Sequence, residues 1–249
     1  STAAAQITGD PTPRALLADI LDAPPRASTP AAGSERPRRT ARAVTDHLAR
    51  MRALIDASAD AADLRRRLGA AALERAAADD SFAPRWRATV AARLPQLQWP
   101  ARRVLITAVD AGSGEPAVFD RHSGVELVDA VAASCSSGAA YPIGDRAYID
   151  GGFRSNAENA DLAAGVARVL VLAPFGGRSL VPEAWGTHLA TQIEALRAGG
   201  SEVETIVPGA DEEHLFGPNA MDVSLRPEAA LAGFAVGRER AARLAALWS

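Results

Sequence analysis

The chain contains no lysine and a single cysteine. Its 27 cationic side chains are all arginine, and with 30 acids they give a formal net charge of -3. A chain without net positive charge lacks the basic field that is typical of nucleic-acid-binding proteins. Cys135 alone cannot form an internal disulfide, so a reducing compartment is compatible with the sequence.

Long apolar runs are also absent. No stretch reaches the roughly 18 apolar residues of a membrane-spanning helix, so a cytoplasmic or peripheral membrane protein is predicted. Hydrophobic residues make up 48% of the 249 positions and charged residues 23%. These values suit a globular protein, and we predict one α/β domain over residues 1–249 with a large insertion.

The first hundred residues predict helices and no strands. A short helix at residues 15–21 is followed by an exposed connection rich in Pro, Ser and Arg at residues 24–39. Apolar residues then recur at helical spacing in three segments, of which the second begins at Ser58 or Asp60 and the third ends at Pro95. Residues 24–100 are therefore predicted to be a helical insertion that serves as a lid.

From Arg102 onward, strand and helix patterns alternate. Strands are predicted near residues 104–109, 117–119, 147–149, 169–172 and 203–207, with helices at 125–134, 183–198 and 227–248. Such alternation is typical of an α/β fold in which helices cover a parallel sheet. We therefore predict a three-layer α/β/α sandwich with a mostly parallel sheet.

Asp150, followed by Gly151-Gly152, is the strongest candidate for a catalytic residue. Asp-Gly alone is a common turn pair, but this aspartate falls at the end of a predicted strand, where open α/β sheets place their sites. The glycines leave room for another group to approach the backbone. Polar residues that either anchor this loop or cap the helix near Leu162 follow: Asn156, Asn159 and Asp161.

The flanks of this aspartate carry a family resemblance. A helix ending in Ala133-Ser134 leads through Tyr141-Pro142-Ile143 to Tyr148-Ile149-Asp150-Gly151-Gly152. This order resembles the patatin-like phospholipase family, in which a strand ending in Asp-Gly-Gly carries the catalytic aspartate. The small residues at 1–5 are similar to the helix that follows the family's G-x-S-x-G elbow.

The resemblance implies a lipid acyl hydrolase with a Ser–Asp dyad, in which Asp150 is the general base and no metal or cofactor takes part. The substrate would be a lipid or another acyl ester, with peripheral membrane contact. No G-x-S-x-G occurs in these residues, and Ser1 does not replace it because position 3 is Ala rather than Gly. We therefore predict that the chain begins inside a helix after loss of an upstream piece, a preparation artefact being the alternative, and that it is inactive alone.

Two other functions stay open. One is an α/β-hydrolase esterase with a Ser-Asp-His triad, whose histidine would be His214 in the loop after the strand at 203–207. The other is a catalytically inactive, lipid-binding fragment. Among the remaining histidines, His47 is interpreted as a packing residue on a helix, and His122 and His188 lack partners at metal-ligand spacing. Cys135 is interpreted as a small packing residue rather than a nucleophile.

Two clusters of charge or glycine complete the candidates. An arginine-rich segment favours a solvated face over a surface for anionic lipids, and its members are Arg26, Arg36, Arg38, Arg39, Arg42, Arg50 and Arg52. Residues 175–178, Phe-Gly-Gly-Arg, follow a strand and have the composition of an anion cradle, although no phosphate-loop fingerprint accompanies them.

Overall fold

A computed structural model of the protein describes Asp46, residues 48–216 and residues 222–248. The predictions for residues 1–7, 15–21 and 24–39 lie outside these residues, as does the side chain of His47. Residues 48–56 are helical, and the described residues from 48 to 100 contain helices and turns without a strand. The strand-free character that the sequence predicts for the insertion is therefore found in this part of it.

The described chain forms helices and strands in two compact units. The first unit contains residues 54–159 and 179–188, and the second contains residues 160–178, 189–216 and 222–248, together with the described residues before 54. Besides the helical residues 48–56, the described α-helices are α1 (Ala61–Ala77), α2 (Phe82–Ala91), α3 (Leu127–Ser134), α4 (Leu189–Ala198), α5 (Glu213–Phe216) and α6 (Arg226–Leu247). The strands are β1 (Ile106–Asp110), β2 (Pro116–Phe119), β3 (Tyr141–Ile143), β4 (Arg146–Asp150), β5 (Arg168–Leu172) and β6 (Glu202–Ile206).

The first unit is built on a four-stranded sheet in the order β2-β1-β4-β3, and all of its neighbouring strands are antiparallel. The expectation of a mostly parallel sheet is therefore not confirmed. Strand β3, which the sequence pattern hid within a loop, explains the difference. Only residues 144–145 separate β3 from β4, and such a short link reverses the chain, so β4 returns antiparallel to β1.

Strand β3 escapes prediction because its central residue is Pro142. Proline has no amide N–H to donate to a ladder, so a proline within an apolar run argues against a strand. Here β3 lies at the edge of the sheet, and Pro142 is exposed opposite Ala147. An edge position is where a sheet tolerates proline.

Helix α3 forms the main core of the first unit with the sheet. Its alanine- and valine-rich sequence is buried almost all round, and its small side chains allow close contact with the strands. Phe119 and Tyr148 meet edge to face beneath it, with ring centroids 5.1 Å apart. Val109 and Ile149, paired across β1 and β4, are also fully buried, although alternation points them to the other face of the sheet. Both faces of the central strands are therefore covered.

Helix α1 begins at Ala61 and packs tightly against the end of β1. The Asp60 carboxylate accepts the Asp63 N–H at 2.7 Å, so Asp60 rather than Ser58 is the N-cap of the two that the sequence allows. Further along, Gly69 is buried against the backbone of Ala111, and an added Cβ would lie 2.2 Å from the Ala111 carbonyl oxygen. The glycine therefore sets how closely α1 approaches the sheet.

The second unit contains a parallel pair, β5 and β6, in the register Val169 to Val203. Helix α4 lies in the connection that leads from β5 to β6, because two parallel strands need such a crossover to join them. The predicted helix over residues 183–198 is divided, because a single turn at Glu183–Trp185 ends at Gly186 in the left-handed conformation (φ 69°). The α-helix then begins at Leu189.

The contact between α1 and β1 predicts opposite effects for two glycine-to-alanine substitutions. Gly69→Ala should lower the free energy of unfolding by about 1–3 kcal/mol, because overpacking against a backbone carbonyl outweighs the gain in helix propensity. Gly237→Ala in α6 is the control, since no atom lies within 4 Å of its added Cβ, and it should raise stability by about 0.5–1 kcal/mol. Urea unfolding measures both. Equal effects of the two substitutions would contradict the packing described here.

Candidate functional site around Asp150

Asp150 is the last residue of β4, an interior strand of the first unit. On one side it lies opposite Ala108 of β1. On the other side β3 does not extend this far, and the Asp150 N–H donates instead to the Ser136 carbonyl oxygen at 3.0 Å. The backbone of Asp150 is thus held from both sides, by β1 and by the segment that follows α3.

The two glycines after Asp150 differ in what they do. Gly151 is buried so close to β1 that an added Cβ would lie 2.2 Å from the Thr107 carbonyl oxygen and 2.3 Å from its hydroxyl. At Gly152 an added Cβ would lie 3.1 Å from the Asp150 carboxylate. Gly151 is therefore required for packing against β1, whereas Gly152 leaves room beside the carboxylate.

The carboxylate of Asp150 is fixed by the turn that it begins. Its Oδ1 accepts the N–H of Gly152 at 2.8 Å, at the start of the single helical turn Gly151–Phe153. Burial raises the pKa of Asp150 above its usual value, and the Gly152 N–H opposes the rise in part. A half-buried carboxylate with a raised pKa is a stronger base than an exposed aspartate, and such groups are common at catalytic sites.

The loop after the two glycines is held by Asn159, which has a positive φ of 51°. Its side-chain N–H groups donate to the carbonyl oxygens of Gly151 at 3.0 Å and Asn156 at 2.9 Å. Its carboxamide oxygen accepts from Arg154 at 3.0 Å. Asparagine is one of the few residues that tolerate this backbone conformation, so one residue supplies both the bend and the hydrogen bonds that close the loop.

Asn156 anchors the same loop to the rest of the first unit. Its carboxamide oxygen accepts the N–H groups of Glu158 and Asn159, and its side-chain N–H donates to the Thr187 carbonyl oxygen at 2.8 Å. Of the two interpretations of these asparagines, loop anchoring is thus the one that their contacts support. Asp161 differs, because it lies in the second unit and accepts from Gln192 at 3.0 Å.

Arg65 is a support that the sequence does not reveal. It lies on α1 and donates to the carbonyl oxygen of Gly114 at 2.7 Å and to that of Arg154 at 3.2 Å. Because it stands in a run of three arginines, it cannot be distinguished by sequence from Arg66 and Arg67, which pair with Asp63. Thr107 and Ser136 are similarly hidden, since their roles depend on strand register and on a backbone carbonyl.

His214 lies in the second unit, on α5, where 55% of its side chain is exposed. Its Nδ1 is 2.8 Å from the Asp211 carbonyl oxygen, and its Nε2 is 3.3 Å from a Glu228 carboxylate oxygen. These are surface contacts of the second unit. His122 and His188 contact Arg121 and the Val181 carbonyl oxygen.

The remaining candidates have packing or surface contacts where they are described. Cys135, the residue directly after α3, is partly buried and packs against the core of the first unit, which agrees with its interpretation as a packing residue. Arg50 and Arg52 are exposed, whereas the other arginines of that segment lie outside the described residues. Gly176 and Gly177 have positive φ values of 68° and 67°, and Arg178 pairs with Glu213.

Neither a metal-ligand cluster nor a membrane-spanning helix occurs among the described residues. No group of three or more His, Cys, Asp or Glu side chains in these residues is arranged to hold a metal ion. None of the described helices is both long enough and apolar enough to cross a bilayer.

The pKa of Asp150 predicts how stability depends on pH. A raised pKa means that the folded state binds the Asp150 proton more tightly than the unfolded state does. Proton binding therefore stabilises the fold at low pH, and this stabilisation is lost as pH rises through the pKa of the folded state. Asp150→Asn keeps the oxygen that accepts from Gly152 but cannot ionise. At neutral pH the variant should therefore have a free energy of unfolding roughly 0.5–2 kcal/mol higher than the wild type, which urea unfolding measures. The gain should disappear at a pH below 3.8, the ordinary pKa of aspartate. A substitution that destabilises the chain equally at every pH would contradict this interpretation.

Two substitutions of Asn159 distinguish the effect of its backbone conformation on stability from the effect of its side-chain hydrogen bonds. Asn159→Gly keeps the positive φ but removes the hydrogen bonds, so it should lower the free energy of unfolding by about 1–3 kcal/mol. Asn159→Ala should lose about 1 kcal/mol more, because alanine is strained at this φ. Thermal or urea unfolding distinguishes the two. An Asn159→Gly variant as stable as the wild type would show that the hydrogen bonds do not hold the loop.

One family model matches a part of the chain that includes Asp150. A model described as patatin-like phospholipase matches residues 7–162, which is more than half of the chain and includes the whole four-stranded sheet. No curated protein matches the chain. On the strength of the family match, the chain belongs to the patatin-like phospholipase family.

Proposed function

We propose that this chain supplies the general base, Asp150, of a lipid acyl hydrolase that uses a Ser–Asp dyad. Membership of the family supports a lipid acyl hydrolase in general terms. The single observation that carries the assignment to Asp150 is the state of its carboxylate, which is fixed by Gly152 at the end of an interior strand and has a pKa raised by burial. These are the properties of a base that is already positioned before substrate binds.

The reaction that this base would serve has two halves. The serine oxygen attacks the acyl carbonyl carbon while its proton passes to Asp150, and the tetrahedral intermediate expels the alcohol, which takes the proton from the aspartic acid. A water molecule then attacks the acyl-serine and gives a proton to Asp150. Collapse of the second intermediate releases the fatty acid and returns the proton to the serine. Asp150 is unprotonated again at the end, so the cycle is balanced without a histidine.

The geometry around the carboxylate fits this role. The bond from Gly152 takes Oδ1, and Oδ2 is the atom that we assign to the serine proton. The Gly151–Thr107 contact and the Asn159 hydrogen bonds fix the position of the carboxylate, so that little reorganisation is needed at the moment of proton transfer. Metal-independent chemistry is part of the proposal, since this dyad needs no Lewis acid.

The nucleophile is proposed to lie outside these 249 residues, because no G-x-S-x-G occurs among them. The same holds for the glycine-rich loop whose amides would stabilise the oxyanion. Part of the predicted helical insertion at residues 24–100 is proposed to form a lid over the acyl chain, while α1 stays packed against β1.

The assignment predicts activity losses in the longer polypeptide that carries both this chain and the serine. Asp150→Ala and Asp150→Asn should each lower kcat for short p-nitrophenyl esters by roughly 100- to 10,000-fold, the range of general-base catalysis. His214→Ala is the matched control and should keep wild-type activity. The 249-residue chain alone should neither turn over these esters nor react with a fluorophosphonate probe.

Three results would contradict parts of this proposal. Activity that survives Asp150→Ala but is lost in His214→Ala would favour the Ser-Asp-His triad. Clear turnover by the purified 249-residue chain would show that the nucleophile lies within it. A longer polypeptide that binds lipid but hydrolyses no ester would favour the inactive lipid-binding alternative.

A further inference from the structure

A cavity of about 170 Å³ opens in the first unit between the end of the α2–β1 connection and the turn after β2. It is several times the roughly 30 Å³ that one water molecule occupies in the liquid. None of the residues around Asp150 that were described above lines it. Its lining contains three arginines, Arg102, Arg103 and Arg121, beside His122, Asp120, Val104 and Trp99.

The charges of this cavity do not balance. Asp120 is the one acid among the lining residues, and it is engaged within its own turn, where it accepts the His122 N–H at 2.8 Å and the Ser123 hydroxyl at 3.0 Å. The three guanidinium groups therefore leave a formal excess of two positive charges. Arg102 and Arg103 are adjacent in sequence and exposed, so two guanidinium groups with several N–H donors each are accessible from solvent at this cavity.

Two of the lining side chains are held in position by the fold. Arg121 donates to the Ala101 carbonyl oxygen at 2.8 Å and to His122 Nε2 at 3.0 Å. The Trp99 indole N–H donates to the Val125 carbonyl oxygen at 2.7 Å. The recess therefore combines two side chains that are held in position, Arg121 and Trp99, with two exposed arginines, Arg102 and Arg103.

We propose that this recess binds the phosphate of an anionic lipid headgroup and so docks the first unit on a bilayer. Guanidinium groups match phosphate oxygens with paired, charge-assisted hydrogen bonds. The neighbouring chain indicates a bilayer as the source of the phosphate. Leu97, two residues before Trp99 along the chain, exposes 49% of its surface. An exposed leucine beside a phosphate site can insert into the apolar part of a bilayer, whereas it would make no contact with a free phosphate ion.

This docking site is separate from the proposed catalysis, so the two can fail independently. The test uses the chain with paired substitutions of equal charge. Arg102→Gln with Arg103→Gln removes two cations from the recess, and Arg238→Gln with Arg240→Gln removes two exposed cations from α6. Sedimentation with vesicles of phosphatidylcholine, with and without phosphatidic acid, measures binding. We expect the recess variant to lose at least roughly tenfold in affinity for the anionic vesicles, and the α6 variant to lose little.

A second arm distinguishes a lipid headgroup from free phosphate. Inorganic phosphate should shift the NMR signal of the Trp99 indole N–H in the wild type and not in the recess variant. Leu97→Ser should weaken vesicle binding while leaving the response to inorganic phosphate unchanged. Equal losses in the two arginine variants would overturn the site in favour of diffuse charge attraction. A response to inorganic phosphate without any binding to anionic vesicles would overturn the headgroup assignment.

Discussion

The close approach of Gly151 to strand β1 is the constraint on which the rest of this site depends. No side chain fits between Gly151 and the Thr107 backbone, and only a glycine allows the chain to turn directly from β4 into the loop. That turn places the Gly152 N–H on the Asp150 carboxylate. Asn159 then closes the loop by donating back to the Gly151 carbonyl oxygen. The Gly152 and Asn159 hydrogen bonds therefore both depend on the close contact of Gly151 with β1.

The same arrangement has a cost at Asp150. Burial disfavours the ionised form, and a single backbone N–H compensates for it only in part, which is why the pKa is raised. A fully satisfied carboxylate would be more stable and a weaker base. Sites that accept such a local penalty depend on a rigid surrounding, and here the rigidity comes from β1, α1 and the Asn156–Asn159 loop.

The sequence predicts the elements of this fold better than their directions. Strand periodicity locates β1, β2, β4, β5 and β6 within a few residues, and the flanks of Asp150 identify the family. The direction of β4 could not be predicted, because Pro142 conceals β3 and with it the reversal of the chain. Asn156 and Asn159 were recognisable as candidates because of their residue types. The roles of Arg65, Thr107 and Ser136 could not be recognised from the sequence. They depend on strand register and on backbone carbonyl groups, which residue type does not indicate.

The pH dependence of kcat/KM for the serine-bearing protein tests the central claim most directly, because it reports the pKa of the free enzyme's base. We predict an acid limb with a midpoint above 3.8, the ordinary pKa of aspartate, that coincides with the titration of the Asp150 carboxyl carbon followed by NMR. A limb that instead follows histidine, near a pKa of about 6.5, and that disappears in His214→Ala would contradict the assignment of Asp150 as the base.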